Sequence, residues 1–368
     1  MSIKKQLFSG IGILAITFGV VLMLALMGRY EATKRSGKEE AQRAYFAEIN
    51  EAVGEEALER LKRMPVLYRE RVQPLDTLAR STIRQFTGRR GVYGADSALV
   101  FCAIAFDKEF DWDAIPFFLV NHGVNKERLG LEGGDKLASL PQIIESTDFV
   151  DEYNAQRKIW ANKSGKPPAS ISEIFRLANQ VSRARMQFAD QFKMVPPTME
   201  QRLSEKPDRN DWHLIDNAST AGHKPEDAKR IKNAMADLKK GWLARSGKDI
   251  IAAVDEIEAS IGVMAPDLVL EPAAIENEIK FNNVKPFTLA SWFFAAAAAF
   301  AVFGMAFRLK WLRLLGILAA IIGIGLCSWG FYMRITLGFQ IAITNLYESM
   351  IAVGVLSMLL FLIIDLVR

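Results

Sequence analysis

The sequence predicts a mainly α-helical integral membrane protein with about four transmembrane helices and a large, mostly helical extracytoplasmic domain. Three observations predict it. Half of the 368 residues are hydrophobic and 24% are charged, yet the two classes are segregated along the chain. Leu7–Met27, Phe287–Phe307 and Leu314–Met333 contain no charged residue, and Met350–Ile364 adds a shorter run. A helix of about 20 apolar residues crosses a hydrocarbon core of ~30 Å, so three of these runs are long enough to span. The long polar insert between the first two runs carries most of the charge in helical patterns. A purely soluble protein is excluded on this reading.

Charge placement orients the spans. Lys4 and Lys5 precede the first run, Arg308, Lys310 and Arg313 fill the link between the second and third, and Arg368 closes the sequence. The positive-inside rule assigns all three places to the cytoplasm. The spans then run inward to outward at 7–27, back at 287–307, out at 314–333 and back at 346–364, with 334–345 as an external loop. Residues 28–285 fall on the extracytoplasmic side of a plasma (inner) membrane. The first run reads as an anchor rather than a cleaved signal peptide, because its core is long and Ala25-Leu26-Met27-Gly28 is a poor cleavage site.

Within the insert, Glu39–Arg63 reads as an amphipathic stalk helix with Ala41, Ala44, Tyr45, Ile49, Val53, Leu58 and Leu61 on its apolar side. Pro65 ends it, and Val66-Leu67-Tyr68 reads as extended. Pro74 disfavours helix at Gln73, and Asp76 or Thr77 is placed to cap a helix that ends near Gly88. This motif-bearing section, 64–150, continues with an apolar helix at Ala98–Phe106 and a β-compatible run at Ile115–Val120. The section 151–285 is helical. Ser172–Lys193 is stopped by Pro196-Pro197, Lys206–Asn217 is a polar loop, and Pro225 opens a helix carrying Ile231, Met235, Leu238 and Trp242. Ile250, Val254, Ile257 and Ile261 mark another helix, and Ala273–Phe281 a last short one.

Several function classes find no support. The net charge of +4 comes without a basic stripe interleaved with aromatics, so nucleic acid is not an expected partner. Cys102 and Cys327 are the only cysteines, one in the insert and one in a span, and no C-x-x-C or C-x-x-C-H is present. His122, His213 and His223 lack metal-ligand spacing and read as surface or loop residues. Gly133-Gly134 reads as a turn. The acids Asp107, Glu109, Asp111 and Asp113 read as a solvated loop around Phe110 and Trp112, although paired carboxylates also serve acid–base work. No catalytic residue and no metal site is assigned.

Two motifs carry more weight. One is Arg71-Val72-Gln73-Pro74-Leu75-Asp76-Thr77-Leu78-Ala79-Arg80, whose Arg71, Pro74, Asp76, Thr77 and Arg80 are candidate functional or interface residues. The other is Thr344-Asn345-Leu346-Tyr347-Glu348-Ser349 at the mouth of the fourth span. Its Glu348 sits at the edge of hydrocarbon, where a charge is costly unless it faces a bundle interior or a wet cavity. A helix cap with Thr344 or Asn345 as N-cap explains the same residues equally well. Asn345, Tyr347, Glu348 and Ser349 complete the candidate set, with Glu348 and Tyr347 expected at a helix–helix seam.

At these residues the sequence resembles a known family. Thr344–Ser349, preceded by Trp329-Gly330-Phe331-Tyr332-Met333-Arg334, is similar to a signature of the system II (Ccs/Res-type) cytochrome c biogenesis membrane proteins. Arg71–Arg80 resembles a motif in the external region of the fused cytochrome c synthetases. Trp112 with Ile115-Pro116, Leu129-Gly130-Leu131 and Lys136–Ser139 follow in the matching order. The resemblance implies an accessory role in carrying haem to the outer membrane face and joining it to apocytochrome c. The family's Trp-rich haem-handling segment with its flanking histidines is not among the 368 residues. A separate haem-handling chain is therefore the implied partner, alongside membrane lipid, unless the sequence is a split or truncated product. Haem is implied as transported substrate, with no residue here assigned to bind it. A membrane-anchored scaffold or ligand-binding protein without catalysis is the alternative reading.

Overall fold

The structure is a computed structural model that describes residues 37–68, 71–107, 110–132, 134–188, 192–204, 212–266, 272–337 and 346–367. It is mainly helical. Two compact units divide it, one built within residues 34–271 and the other from residue 272 onward. The expected first span, 7–27, lies outside the described residues.

The first unit begins with helices α1 (Gly37–Val53) and α2 (Glu55–Arg63). The periodicity predicts one stalk helix here, but the chain breaks at Gly54, whose φ of 80° is a conformation other residues adopt only under strain. The buried stripe also differs from the expected one. Phe46, Ile49, Val53, Ala57, Leu58 and Leu61 enter the core, whereas Ala41 and Ala44 are exposed. Five large or mid-sized apolar side chains outweigh two alanines in buried area, so the buried stripe runs through Phe46.

Strands β1 (Pro65–Tyr68) and β2 (Arg71–Pro74) then pair antiparallel, from Pro65 opposite Pro74 to Tyr68 opposite Arg71. Helix α3 (Leu75–Thr87) follows and ends as expected at Gly88, with φ 71° and its N–H bonded to the Arg84 carbonyl. Helix α4 (Ser97–Phe106) is almost wholly buried and is capped by the Asp96 side chain on the Ala98 N–H. The other Asp96 oxygen takes Lys62 Nζ at 2.9 Å, which ties the cap to α2. Burial alone would lower the Lys62 pKa, but its bonds to Glu59 and Asp96 raise it above the ordinary value.

The next elements are short: strand β3 (Phe118–Leu119), helix α5 (Gly123–Arg128), strand β4 (Leu137–Ala138) paired with β3, and helices α6 (Leu140–Ile144) and α7 (Thr147–Trp160). Ser139 and Gln142 form a capping box on α6. Helix α8 (Ala169–Gln187) stops earlier than its periodicity predicts. Phe188 and Phe192 are buried, but Lys193–Val195 forms strand β5 against β6 (His213–Leu214). The second half of the expected polar loop is therefore strand β6 followed by a 3-10 turn at Ile215–Asn217. Buried Trp212 and Ile215 anchor that stretch by their apolar area.

After the short helix α9 (Met199–Leu203), helices α10 (Pro225–Leu243) and α11 (Gly247–Met264) form a hairpin. Pro225 stands at the start of α10, and Ile231, Met235, Leu238, Trp242, Ile250, Val254, Ile257 and Ile261 face the core as their spacing requires. One continuous core joins these elements, with Phe86, Phe101, Phe117, Phe118 and Phe188 at its aromatic centre.

The second unit holds α12 (Pro272–Val284), α13 (Pro286–Phe307), α14 (Lys310–Thr336) and α15 (Leu346–Val367). The stretch Pro272–Phe307 and helix α14 are long and apolar enough to cross a membrane. Helices α13 and α14 turn back on each other through Arg308, which has φ 54°. Met358 and Leu362 of α15 pack on Ala297, Ala319 and Ala320 of that pair.

Candidate functional site

The Arg71–Arg80 motif folds into the strand β2 and the first turns of α3. Its Asp76 and Arg80 are turned inward, while Arg71 is half-buried on the strand. Asp76 is fully buried, and Arg80 Nε donates to Asp76 Oδ1 at 2.7 Å and to Oδ2 at 2.8 Å. A buried carboxylate of this kind needs a partner and donors, or its desolvation would unfold the turn. Asp76 does not cap the helix as expected, and neither does Thr77. The helix starts at Leu75, preceded by Pro74 with ψ 148° and no side-chain cap. The Leu75 N–H instead finds the Met64 carbonyl at 2.8 Å.

The strand half of the motif is held just as closely. Arg71 Nη2 donates to Gln73 Oε1 at 3.1 Å, and Gln73 Nε2 donates to the Tyr68 carbonyl at 2.6 Å. Tyr68 and Ser81 share a hydroxyl bond of 3.0 Å, which fastens the hairpin to α3. Pro74 is buried and Thr77 half-buried. The arrangement is a rigid bracket: an ion pair inside, a hairpin outside and the helix between them.

The second motif lies in the other unit, and the structure describes it only in part. Helix α15 begins at Leu346, so Tyr347, Glu348 and Ser349 fall in its first turn. Ser349 is half-buried. Thr344 and Asn345 lie outside the described residues, as do the side chains of Tyr347 and Glu348, so the expected cap and the expected seam position are not described.

The structure assembles two polar clusters that sequence spacing does not reveal. Asp107 was expected in a solvated loop, yet it is buried and accepts from Arg245 Nη2 at 2.6 Å and from the Tyr45 hydroxyl at 3.1 Å. These partners lie 138 and 62 residues away, so no local pattern announces them. Burial and the Asp107 charge push the Tyr45 pKa up to about 12. Arg245 occupies the left-handed region at φ 54°, and its guanidinium stands 5.7 Å from the centre of the Trp242 ring. The cluster locks α1, the end of α4 and the α10–α11 turn together. Of the other acids, Asp111 is exposed, Asp113 is half-buried, and Glu109 lies outside the described residues.

Glu173 on α8 forms the second cluster. It accepts from the backbone N–H of Asn121 at 2.8 Å, that of His122 at 3.0 Å and Asn125 Nδ2 at 3.0 Å. Burial alone would raise its pKa; the bonds from Asn121, Asn125 and His122, with the Arg176 charge, bring it below the usual carboxylate range. Glu173 thus satisfies orphan donors at the start of α5 from a distant helix, which a local cap would normally do.

The histidines take structural positions. His122 precedes α5, His213 lies in β6, and the His223 ring nitrogen Nε2 is 2.6 Å from the Pro196 carbonyl. Cys102 is fully buried, and burial pushes its thiol pKa up, away from nucleophilic use. Among the described residues, no group of three or more His, Cys, Asp or Glu is placed to hold a metal ion. Compared with known proteins, the chain matches no family model and no curated sequence.

Proposed function

We propose that this chain is a membrane component of c-type cytochrome assembly that works with a separate haem-handling chain to deliver haem to apocytochrome c. The observation that carries this reading is the ordered pair of motifs, Arg71–Arg80 and Thr344–Ser349, with the shorter matches between them. The protein crosses the inner membrane four times in this reading, with the 28–285 insert outside. The turn bearing Arg308, Lys310 and Arg313 supports a cytoplasmic position for the α13–α14 connection. Deleting the gene is expected to abolish covalent haem in c-type cytochromes. Undiminished haem staining of membranes from the deletion strain would reject the proposal.

A second reading, a scaffold without catalysis, is favoured by one observation: the charged pair of the first motif is spent inside the fold, Asp76 on Arg80. The readings separate on a double substitution, Asp76→Leu with Arg80→Met, which replaces a buried pair by apolar side chains. A scaffold that folds keeps its activity in this variant, whereas a motif used in haem delivery loses it.

A further inference from the structure

We propose that the tip formed by the end of helix α7 and the turn after it docks on anionic lipid headgroups of the bilayer that carries this chain. From Arg157 to Lys166 the sequence reads Arg-Lys-Ile-Trp-Ala-Asn-Lys-Ser-Gly-Lys. Its charged residues are Arg157, Lys158, Lys163 and Lys166, all of them exposed. No acid occurs between Glu152 and Glu173, and both of these are committed elsewhere. Glu152 takes Arg128 at 3.1 Å, and buried Glu173 takes the donors at the start of α5. Among the described residues, none of the four cations is in an ion pair. The nearest exposed acid on the helix, Asp151, stands one and a half turns before Arg157, about 9 Å along the axis.

Helix α7 is attached to its unit along a narrow stripe. Phe149 is its one buried residue, and Tyr153 and Trp160 lean on the core from the same side. Trp160 Nε1 donates to Gln156 Oε1 at 3.2 Å, and Lys163 Nζ stands 5.2 Å from the centre of the same indole ring. These contacts hold the turn in one shape, so less ordering is left for binding to supply. Ile159, between Lys158 and Trp160, stays 47% exposed.

The combination selects a surface that is anionic and apolar at once. A free phosphate or a carboxylate-rich polypeptide satisfies the four cations and leaves Ile159 in water. A headgroup layer takes both. Its phosphates attract Lys and Arg within a Debye length, and the acyl boundary just below accepts Ile159 and the edge of Trp160. A bilayer is also the partner at high local concentration, because the same chain carries Pro272–Phe307 and α14, long and apolar enough to cross one. The inference rests on that spanning reading and not on a role in haem delivery.

The test places the full chain in nanodiscs of phosphatidylcholine alone or mixed with phosphatidylglycerol, with a fluorophore on Ala161→Cys and acrylamide as a neutral, water-borne quencher. Cys102 and Cys327 are buried, which leaves the tip thiol as the reactive one. The quenching constant is expected to be at least about threefold lower in the anionic discs. It is expected to return to the phosphatidylcholine value when Lys158→Gln, Lys163→Gln and Lys166→Gln are combined, and also in Ile159→Asp. Thermal melts of each variant show that the fold is retained. Equal quenching in the two discs overturns the proposal, as does shielding that persists in the triple variant. Shielding of the same size in detergent micelles would assign the tip to a polypeptide contact, and that also overturns it. A chain that stays with neither disc rejects the spanning reading and this inference with it, whereas one that stays with both and is quenched equally rejects the docking alone.

Discussion

Two helix hairpins in this chain solve the same packing problem with opposite side chains. The α10–α11 pair closes on large groups: Ile231, Met235, Leu238 and Trp242 meet Ile250, Val254, Ile257 and Ile261 in the core. Small residues share the buried faces, Ala228 and Ala234 on α10 and Ala253 and Ser260 on α11, and at the turn a β-carbon on Gly241 would stand 3.1 Å from Asp249 Cβ. The α13–α14 pair does the reverse. Its seam is Ala290, Ala297 and Gly304 against Gly316, Ala319, Ala320, Gly323, Cys327 and Gly330. Several of its large apolar groups face out, with Trp292 and Met305 each 70% exposed and Leu314 58%, while Phe287 and Phe294 lie over seam glycines.

The difference follows from the solvent each is suited to. In water, a helix gains by removing large apolar side chains from solvent, so they go to the seam. In lipid, a large side chain gains little by leaving hydrocarbon, and helices associate by close backbone approach and van der Waals packing. Glycines at 316, 323 and 330 recur every seventh residue, and Phe294 and Phe287 fill the hollows at the last two. The same chain thus shows both rules.

The comparison can be broken most severely at Trp242. Trp242→Ala should cost about 3–5 kcal/mol in the first unit, read as a lowered midpoint in urea, because it empties a fully buried site beside the hairpin turn, where the ring packs on Phe106. A loss below about 1 kcal/mol would mean that this seam is not what holds the unit. In the second unit, the damaging change is an enlargement. Gly323→Val places a β-carbon where the Phe294 ring lies 2.5 Å away and should cost about 1–3 kcal/mol, measured by denaturant titration in mixed micelles. An undisturbed midpoint would put the seam elsewhere.

Smaller effects sharpen the picture. Asp107→Asn leaves Arg245 without its carboxylate, and because Arg245 is 27% exposed the expected loss is about 2 kcal/mol, below that for a dry pair. Glu173 adds a pH signature. Its folded pKa lies below the ordinary value, so its contribution is full above that value and fades as pH falls through the folded pKa. Wild-type stability should drop as pH falls below about 4.3, and Glu173→Gln should remove part of that slope; parallel slopes would show that Glu173 does not drive it. Leu314→Ala, on the outward face of α14, should change stability in detergent by less than about 0.5 kcal/mol.

Legibility in the sequence followed the range of the interactions. Helix α11 and the α13–α14 pair were readable because 3.6-residue spacing and uncharged runs are local properties. Gly88 and Pro225 marked helix ends by their own backbone limits. The two motifs were visible as residues, but their geometry was not. That Asp76 points inward to Arg80 depends on the core formed around α3, and the Asp76 cap failed because the Met64 carbonyl was there to receive Leu75. The Asp107 and Glu173 clusters left no trace at all, since their partners come from other elements.

The sequence by itself determined the mainly helical class, the apolar stretches of α13 and α14 that are long enough to cross a membrane, and helix ends such as Gly88 and Pro225. Those properties are set by each residue's own torsional freedom and solvation. Only the tertiary structure decided which acids are buried, which face of α1 enters the core, and that Tyr45, Phe110, Gln42 and Asp111 line one groove. Burial and charge pairing are relations between distant parts of the chain, and their energies exist only once those parts share a surface from which water has been excluded.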